Sequence, residues 1–434
     1  MKKLIAILLA AAMILSVAAV MGGCAESAGD NTTAAPDSTP AAHTHAVNAE
    51  GESLTWEVWD GNAITEKGTY NLYLDADLKS ANQVVLGDIM GVNDITVNLC
   101  LNGHNWSSDA RAALIASGVT LNICNCQSTE ATITGKGDED SVSGGTFLVN
   151  EAATLTVYEG VNITADNSQG RVNYAGVIEL SGTMNIYGAT ITGTEVARIA
   201  NSEGAADTTT GQGGAIGMRT NSTLNMYSGL ITGGTACTGA NVRMEANSVF
   251  NMYGGKITNG YSKSYVFNGS NSGGNGGGVF VEGAKFYMYN DAEISGNKCD
   301  NKGAGVILNG SGWMEMYDTA TVTGNHANND NYAGGVACNA AATTLTWSDS
   351  VVIDGNTNNA GKANCWLKGD NWLANIIDTL NADAKIGMTI EKNANSTFTD
   401  LAAPIEAFYS DVEGYEIVAN ENGTLALKAV EAGE

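Results

Sequence analysis

Four charged residues, Glu179, Arg219, Arg243 and Glu282, fall at roughly equivalent outward positions on a glycine-led strand that recurs along the chain. Two carboxylates beside two guanidiniums can line a cleft for a polar polymer, or can form a solvated face paired across neighbouring strands. Cutting a glycosidic bond needs two or three carboxylates converging on it. No such convergence is legible. The one compact acidic run, Asp138-Glu139-Asp140, falls in a loop between repeats. His104 and His326 have no evident partner in sequence, and His43 and His45 supply only two ligands where a zinc site needs three or four. No catalytic residue and no metal site is assigned.

A second set is aromatic. Tyr158, Tyr187, Tyr227, Tyr253, Tyr289, Tyr317 and Trp347 recur at one place in a repeated unit, as a ladder. Exposed aromatic rings offer flat faces to the C–H patches of sugars, while rings stacked on one another stabilise a repeat fold with no ligand at all. Asn297, Asn325 and Asn356 recur at a turn, where side-chain amides can bond up and down a stack.

The element that must position these columns is a repeat. Thr223-Leu-Asn-Met-Tyr-Ser-Gly-Leu-Ile-Thr-Gly-Gly234 returns as Val249-Phe-Asn-Met-Tyr-Gly-Gly-Lys-Ile-Thr-Asn-Gly260, Lys285-Phe-Tyr-Met-Tyr-Asn-Asp-Ala-Glu-Ile-Ser-Gly-Asn297 and Trp313-Met-Glu-Met-Tyr-Asp-Thr-Ala-Thr-Val-Thr-Gly-Asn325. Ahead of most units stands a glycine-led apolar strand such as Gly277-Gly-Val-Phe280 or Gly334-Gly-Val-Ala337. The second glycine precedes the aromatic by 11 to 13 residues, whereas Tyr187 to Tyr227 is 40 and Tyr227 to Tyr253 only 26. Insertions therefore grow from one edge of a solenoid coil, after the Ile-Thr-Gly strand.

Parity assigns the faces. Leu224 and Met226 are apolar and two apart, so they point one way, and the residue between them (Asn185, Asn225, Asn251, Tyr287, Glu315 or Thr346 in successive units) points out. Tyr227 then falls outward or at the corner. The following strand keeps an aliphatic residue throughout, at Ile191, Ile231, Ile257, Ile294, Val322 and Ile353. Period two, three short strands per unit and no period of 3.6 predict an all-β chain: a right-handed parallel β-helix. Roughly a dozen coils at about 4.8 Å each would make a rod of roughly 55–60 Å.

The flanks differ. Residues 1–23 begin with Lys2 and Lys3 and continue as an apolar run, the pattern of an export signal. The junction Val20-Met-Gly-Gly-Cys24 resembles the bacterial lipobox, which implies a lipidated Cys24 as the mature N-terminus and an anchor at the outer face of the cytoplasmic membrane. Residues 24–52 are polar and read as a flexible tether. The solenoid is expected over 53–363 and closing coils over 364–434, where Phe398-Thr-Asp400 and Tyr415-Glu-Ile-Val418 look like closing strands.

Composition narrows the partners. Glycine is 54 of 434 residues, proline 3 and charged residues 15%, which disfavours helices. A net charge of −26 excludes a nucleic-acid partner held by its phosphates and leaves calcium as a candidate ion. Beyond Cys24, seven cysteines remain, an odd number with no zinc spacing among them. A monomer is expected.

The segments Gly68-Thr-Tyr-Asn-Leu-Tyr-Leu74, Ile95-Thr-Val-Asn-Leu-Cys-Leu-Asn-Gly-His104 and Gly118-Val-Thr-Leu-Asn-Ile-Cys124, with the Gly-Gly-Ala-Ile type strands, resemble the pectate-lyase-like right-handed β-helix superfamily. More narrowly, they are similar to repeat-bearing, adhesin-like surface proteins of gut Firmicutes. The resemblance implies a lipid-anchored adhesin or glycan-binding module that performs no catalysis. Its alternative is a polysaccharide lyase, with carboxylate-bound calcium and an Arg or Lys base, or a glycoside hydrolase. Polysaccharide or a cell-surface glycan is the expected partner. Tyr187, Tyr227, Tyr253, Tyr289, Tyr317 and Trp347, with Glu179, Arg219, Arg243 and Glu282, are the expected ligand contacts. The loops 193–211, 260–276 and 137–143 are the expected outer contact surface.

Overall fold

A computed structural model describes residues 55–91, 93–137, 143–168, 174–196, 211–267, 270–368, 375–390 and 396–430. The export signal, Cys24, the tether histidines and Asp138-Glu139-Asp140 lie outside them, as does much of the loops 193–211 and 137–143.

Three strands per turn build a large sheet whose coils pair in parallel and in register. The central strand of each coil pairs with the next, from Glu57–Val58 through Gly68–Tyr73, Ile95–Cys100, Val119–Cys124 and Thr154–Tyr158 to Thr183–Thr192. It continues through Thr223–Thr232, Val249–Met252, Lys285–Met288, Trp313–Met316 and Thr344–Asp349 to Asn375–Leu380. The chain is thus an all-β parallel β-helix. Among the described residues there is no α-helix, and none long and apolar enough to cross a membrane.

Period-two patterning places the core where parity requires. Leu155, Met184, Leu224, Phe250, Phe286, Met314 and Leu345 form one fully buried column, and Ile163, Ile191, Ile231, Ile257, Ile294, Val322 and Ile353 another. The leading strands start from tight corners. Gly213, Gly276 and Gly303 have φ of +66°, +70° and +61°, the left-handed region where glycine carries no steric cost. A Cβ on Gly176 would stand 2.2 Å from the carbonyl oxygen of Gly214 on the next coil, so only glycine lets these two turns approach.

Beyond the three expected strands, a fourth short one follows the corner. Thr235–Ala236, Tyr261–Ser262, Lys298–Cys299, His326–Ala327 and Thr357–Asn358 stack in parallel, and Gly361–Lys362 closes this sheet antiparallel. Two-residue strands are too short to show alternation, which is why the repeat alone does not announce them. The insertion after Gly260 carries an antiparallel hairpin, Ser264–Phe267 with Ser270–Gly273. At the far end parallel pairing runs through Cys365–Leu367 and Lys385–Ile390 to Phe408–Ser410. A small antiparallel sheet of Ser396–Thr397, Leu425–Ala429 and Tyr415–Ala419 follows, with Phe398 and Leu425 buried.

The asparagine ladder is internal and longer than its three expected rungs. Each Nδ2 donates to the next Oδ1: Asn241 to Asn297 at 3.1 Å, Asn297 to Asn325 at 2.9 Å, Asn325 to Asn356 at 2.9 Å and Asn356 to Asn364 at 3.1 Å. Asn364 hands the chain to Asp411 Oδ1 at 2.8 Å. The oxygens accept a second time from backbone, Asn297 N to Asn325 and Asn325 N to Asn356, both at 3.0 Å. Asn325 also donates to the carbonyls of Ile294 and Thr323. All five asparagines are fully buried.

Two outcomes follow from this core. Replacing Asn325 by Ala strands several buried donors and acceptors at about 1–3 kcal/mol each, for a loss of about 3–5 kcal/mol. Asn225→Ala, on the half-buried outer surface, should cost under about 1 kcal/mol. Thermal unfolding followed by circular dichroism separates them, and equal shifts would refute the internal ladder as a main support. None of the seven described cysteines is in a disulfide, and only Cys126 and Cys237 are part-exposed. Burial pushes the Cys299, Cys338 and Cys365 thiols up, so thiolate chemistry is suppressed there. A thiol reagent should label Cys126 and Cys237 in the native protein, and the other five only after unfolding.

Candidate functional site

The four charged residues of the leading strands are brought together, but in two adjacent columns rather than one. Glu179 and Arg243 share the first column, with Gly217 between them. Arg219 and Glu282 stand two residues further along their strands. The second column holds a residue the sequence reading missed, Glu245, which follows Met244 as Arg219 follows Met218.

Their chemistry is mutual neutralisation. Arg219 Nε donates to Glu179 Oε1 at 2.6 Å and its terminal nitrogen to Glu245 Oε1 at 3.1 Å. Its guanidinium lies 3.7 Å above the Tyr174 ring centroid, and the Tyr174 hydroxyl donates to Glu245 at 3.0 Å. Arg243, buried to 8% exposure, pairs with Glu282, takes Gln212 Oε1 at 3.0 Å and lies 4.5 Å over the Phe280 ring. Tyr174 is the second residue missed. It reaches the groove because Gly217 has no side chain, and a Cβ there would meet the Tyr174 ring at 2.6 Å. Together Tyr174, Gln212, Arg219, Arg243, Glu245 and Glu282 line an open groove of about 410 Å³.

The tyrosines form one continuous stack on the outer face. Ring centroids from Tyr158 to Tyr187, Tyr227, Tyr253, Tyr289 and Tyr317 are 5.4, 4.4, 5.1, 5.2 and 5.1 Å apart, with interplanar angles of 3° to 17°. Each inner ring therefore has both faces against its neighbours and presents an edge. Trp347 is not in this stack. It pairs in register with Met316, one residue short of the Tyr317 position, and is fully buried against Phe408. Parity decides it, because Ile186, Met226, Met252, Met288 and Met316, in the same register, all point inward. Upstream the column continues with Cys124, Cys100 and Tyr73, covered by Trp56.

Beside the stack runs an outer amide column. Asn98 donates to Asn71 at 2.8 Å and Asn122 to Asn98 at 2.9 Å; after Thr156, Asn225 donates to Asn185 at 3.0 Å and Asn251 to Asn225 at 2.9 Å. The two histidines find local partners. His104 Nδ1 is 3.6 Å from Asp77, and His326 contacts the Thr357 hydroxyl at 2.9 Å and Asn359 at 3.2 Å. Among the described residues no group of three or more His, Cys, Asp or Glu side chains is placed to hold a metal ion.

No protein-family model, no curated protein and no solved structure matches this chain.

Burial in the stack pushes the phenols of Tyr187, Tyr227, Tyr253, Tyr289 and Tyr317 above the ordinary tyrosine range, and that of Tyr158 up to about 12. A raised folded value means that the contribution of Tyr158 to stability is fully present below pH 10 and is lost as pH rises from 10 to about 12. The native protein should therefore show phenolate absorbance at higher pH than the urea-unfolded chain, and its melting temperature should fall above pH 10. Coincident native and unfolded titrations would contradict the stack.

Proposed function

We propose that the chain is a surface protein that binds glycans without cleaving them, held at the outer face of the cytoplasmic membrane through lipidated Cys24. The observation that carries this reading is the state of the carboxylates that line the groove, Glu245 and Glu282, and of the buried Glu179 beside it. Glu179, Glu245 and Glu282 each accept from a guanidinium, and Glu179 and Glu245 share the same one. A general acid and base must reach the scissile bond and exchange a proton with it. Three carboxylates committed to two arginines are built for a fixed, polar surface instead. A guanidinium flat on an aromatic ring, with amide and hydroxyl groups around it, offers the oriented donors and the partly apolar platform that a sugar needs. The resemblance to adhesin-like β-helix surface proteins points the same way.

A polysaccharide panel assayed both for retention and for new reducing or unsaturated ends tests this. Retention without new ends is expected. Arg219→Gln keeps a donor for Glu179 but removes the charge over Tyr174, and should weaken retention of groove ligands by about tenfold, the equivalent of about 1.4 kcal/mol. Glu179 is buried, so losing its partner charge also lowers the melting temperature, and circular dichroism verifies that the variant is folded at the assay temperature. New chain ends that depend on Glu245 or Glu282 would overturn the reading in favour of a lyase or hydrolase.

A further inference from the structure

We propose that Tyr317 is a one-electron oxidation site: an oxidant that takes an electron from the tyrosine column leaves a neutral phenoxyl radical there, and the phenol proton moves to Glu315. This does not rest on the glycan-binding reading, which makes no use of Glu315. That carboxylate is buried, at 8% exposure, on the outer side of a central strand, between Tyr287 on the coil before and Thr346 on the coil after. Both of its oxygens are held by neutral donors. Trp313 Nε1 donates to Oε1 at 2.7 Å, and the Tyr317 hydroxyl donates to Oε2. A base is therefore already hydrogen-bonded to the phenol.

Taking an electron alone from a phenol gives a high-energy radical cation. Losing the proton in the same step gives the neutral radical instead. Here the O–H bond of Tyr317 breaks, its electron reduces the oxidant by one, and its proton goes to Glu315 Oε2. The protonated Oε2 then donates back to the phenoxyl oxygen, while Trp313 still holds Oε1 in place. The co-reactants are one-electron oxidants of the peroxyl or hydroxyl radical class.

The ring contacts select Tyr317 among the tyrosines. Tyr174, Tyr261 and Tyr409 also donate to carboxylates, those of Glu245, Asp300 and Asp354. Each of those rings has a cation over it: Arg219 lies 3.7 Å from the Tyr174 centroid, Lys263 5.8 Å from that of Tyr261 and Lys362 5.7 Å from that of Tyr409. A positive charge over a ring opposes removal of an electron from it. The Tyr317 ring lies on another ring instead, Tyr289 at 5.1 Å and 5°, and Tyr289 lies on Tyr253 at 5.2 Å. The π-face of a neutral neighbour attracts the positive charge that oxidation creates. Among the described residues no carboxylate accepts from the hydroxyls of Tyr187, Tyr227, Tyr253 or Tyr289. A charge passed along the column therefore settles at the ring that has a base. The stack also ends there, because buried Ser348 follows Tyr317 in the register.

Photogenerated tris(bipyridyl)ruthenium(III), a one-electron oxidant, tests the site on the full chain. Electron paramagnetic resonance of freeze-quenched samples should show a tyrosyl radical, and mass spectrometry of nitroso spin-trap adducts should place it at Tyr317. Tyr317→Phe and Glu315→Gln should each lower the tyrosyl yield by about tenfold, since Gln can accept a hydrogen bond but takes up no proton. Tyr289→Leu, which removes the stacked neighbour, should lower the yield as well. Trp313→Phe keeps the base and should keep the radical at Tyr317, and Tyr261→Phe should leave the yield unchanged. Circular dichroism verifies that each variant is folded. Adducts spread over the surface tyrosines or centred on Trp313, a parent-like yield in Glu315→Gln or in Tyr289→Leu, or no tyrosyl signal overturns the proposal.

Discussion

Stacking in register makes every outward side chain meet its own equivalent on the coils before and after it, one strand spacing away. Like charges at that distance repel, so a column favours groups that attract their own kind, and a charge placed in one needs an opposite charge within reach. Both solutions occur. Carboxamides bond to carboxamides and phenol rings lie on phenol rings. Where charge does enter, an opposite charge is within reach: Lys256 meets Glu293 at 2.7 Å, Arg219 holds Glu179 and Glu245, and Arg243 holds Glu282. Glu245 and Glu282 stand on adjacent rungs of one column, and each is held by a different guanidinium.

The same constraint explains how the buried amide ladder survives changes of sequence. One corner site per coil must hold a carboxamide, and two chain positions can supply it. Asn297, Asn325 and Asn356 come from the end of the trailing strand, and a Cβ on Gly278, Gly305 or Gly335 would meet their amide nitrogens at 3.2, 3.1 and 2.8 Å. Asn241 and Asn364 come from the start of the leading strand, in the place those glycines hold, and the coil that begins with Asn241 ends at the corner in Gly260, whose N–H bonds Asn297. Glycine and asparagine exchange places while the amide stays put. The ladder ends on the Asp411 carboxylate, whose pKa burial raises while hydrogen bonds from Asn364 hold it down.

The repeat was legible because period-two strands leave a strong imprint: the core columns, the outward Asn225 position and the tyrosine spacing all read directly from it. Three features were not. Trp347 was drawn into the aromatic column by residue type, although its place in Thr344-Leu-Thr-Trp already marked it as inward. Asn241 and Asn364 hid because they reach the ladder from the other side of the corner; the signal was an asparagine standing where Gly-Gly-Val strands carry glycine. Tyr174 and Glu245 joined the groove through the absence of a side chain at Gly217 and through a two-residue offset between columns, and neither is a property of one strand taken alone.

A stacked fold also decides how local a set of side chains can be. In a compact enzyme, one convergent set of groups does all the recognition, and its geometry is unique in the molecule. On this solenoid the groove around Arg219 is such a local set, with three carboxylates and two guanidiniums on neighbouring rungs. The Asn and Tyr face from Tyr187 to Tyr253 is different in kind: each rung repeats the contacts of the last, amide to amide and ring to ring, so no single coil is singled out on it.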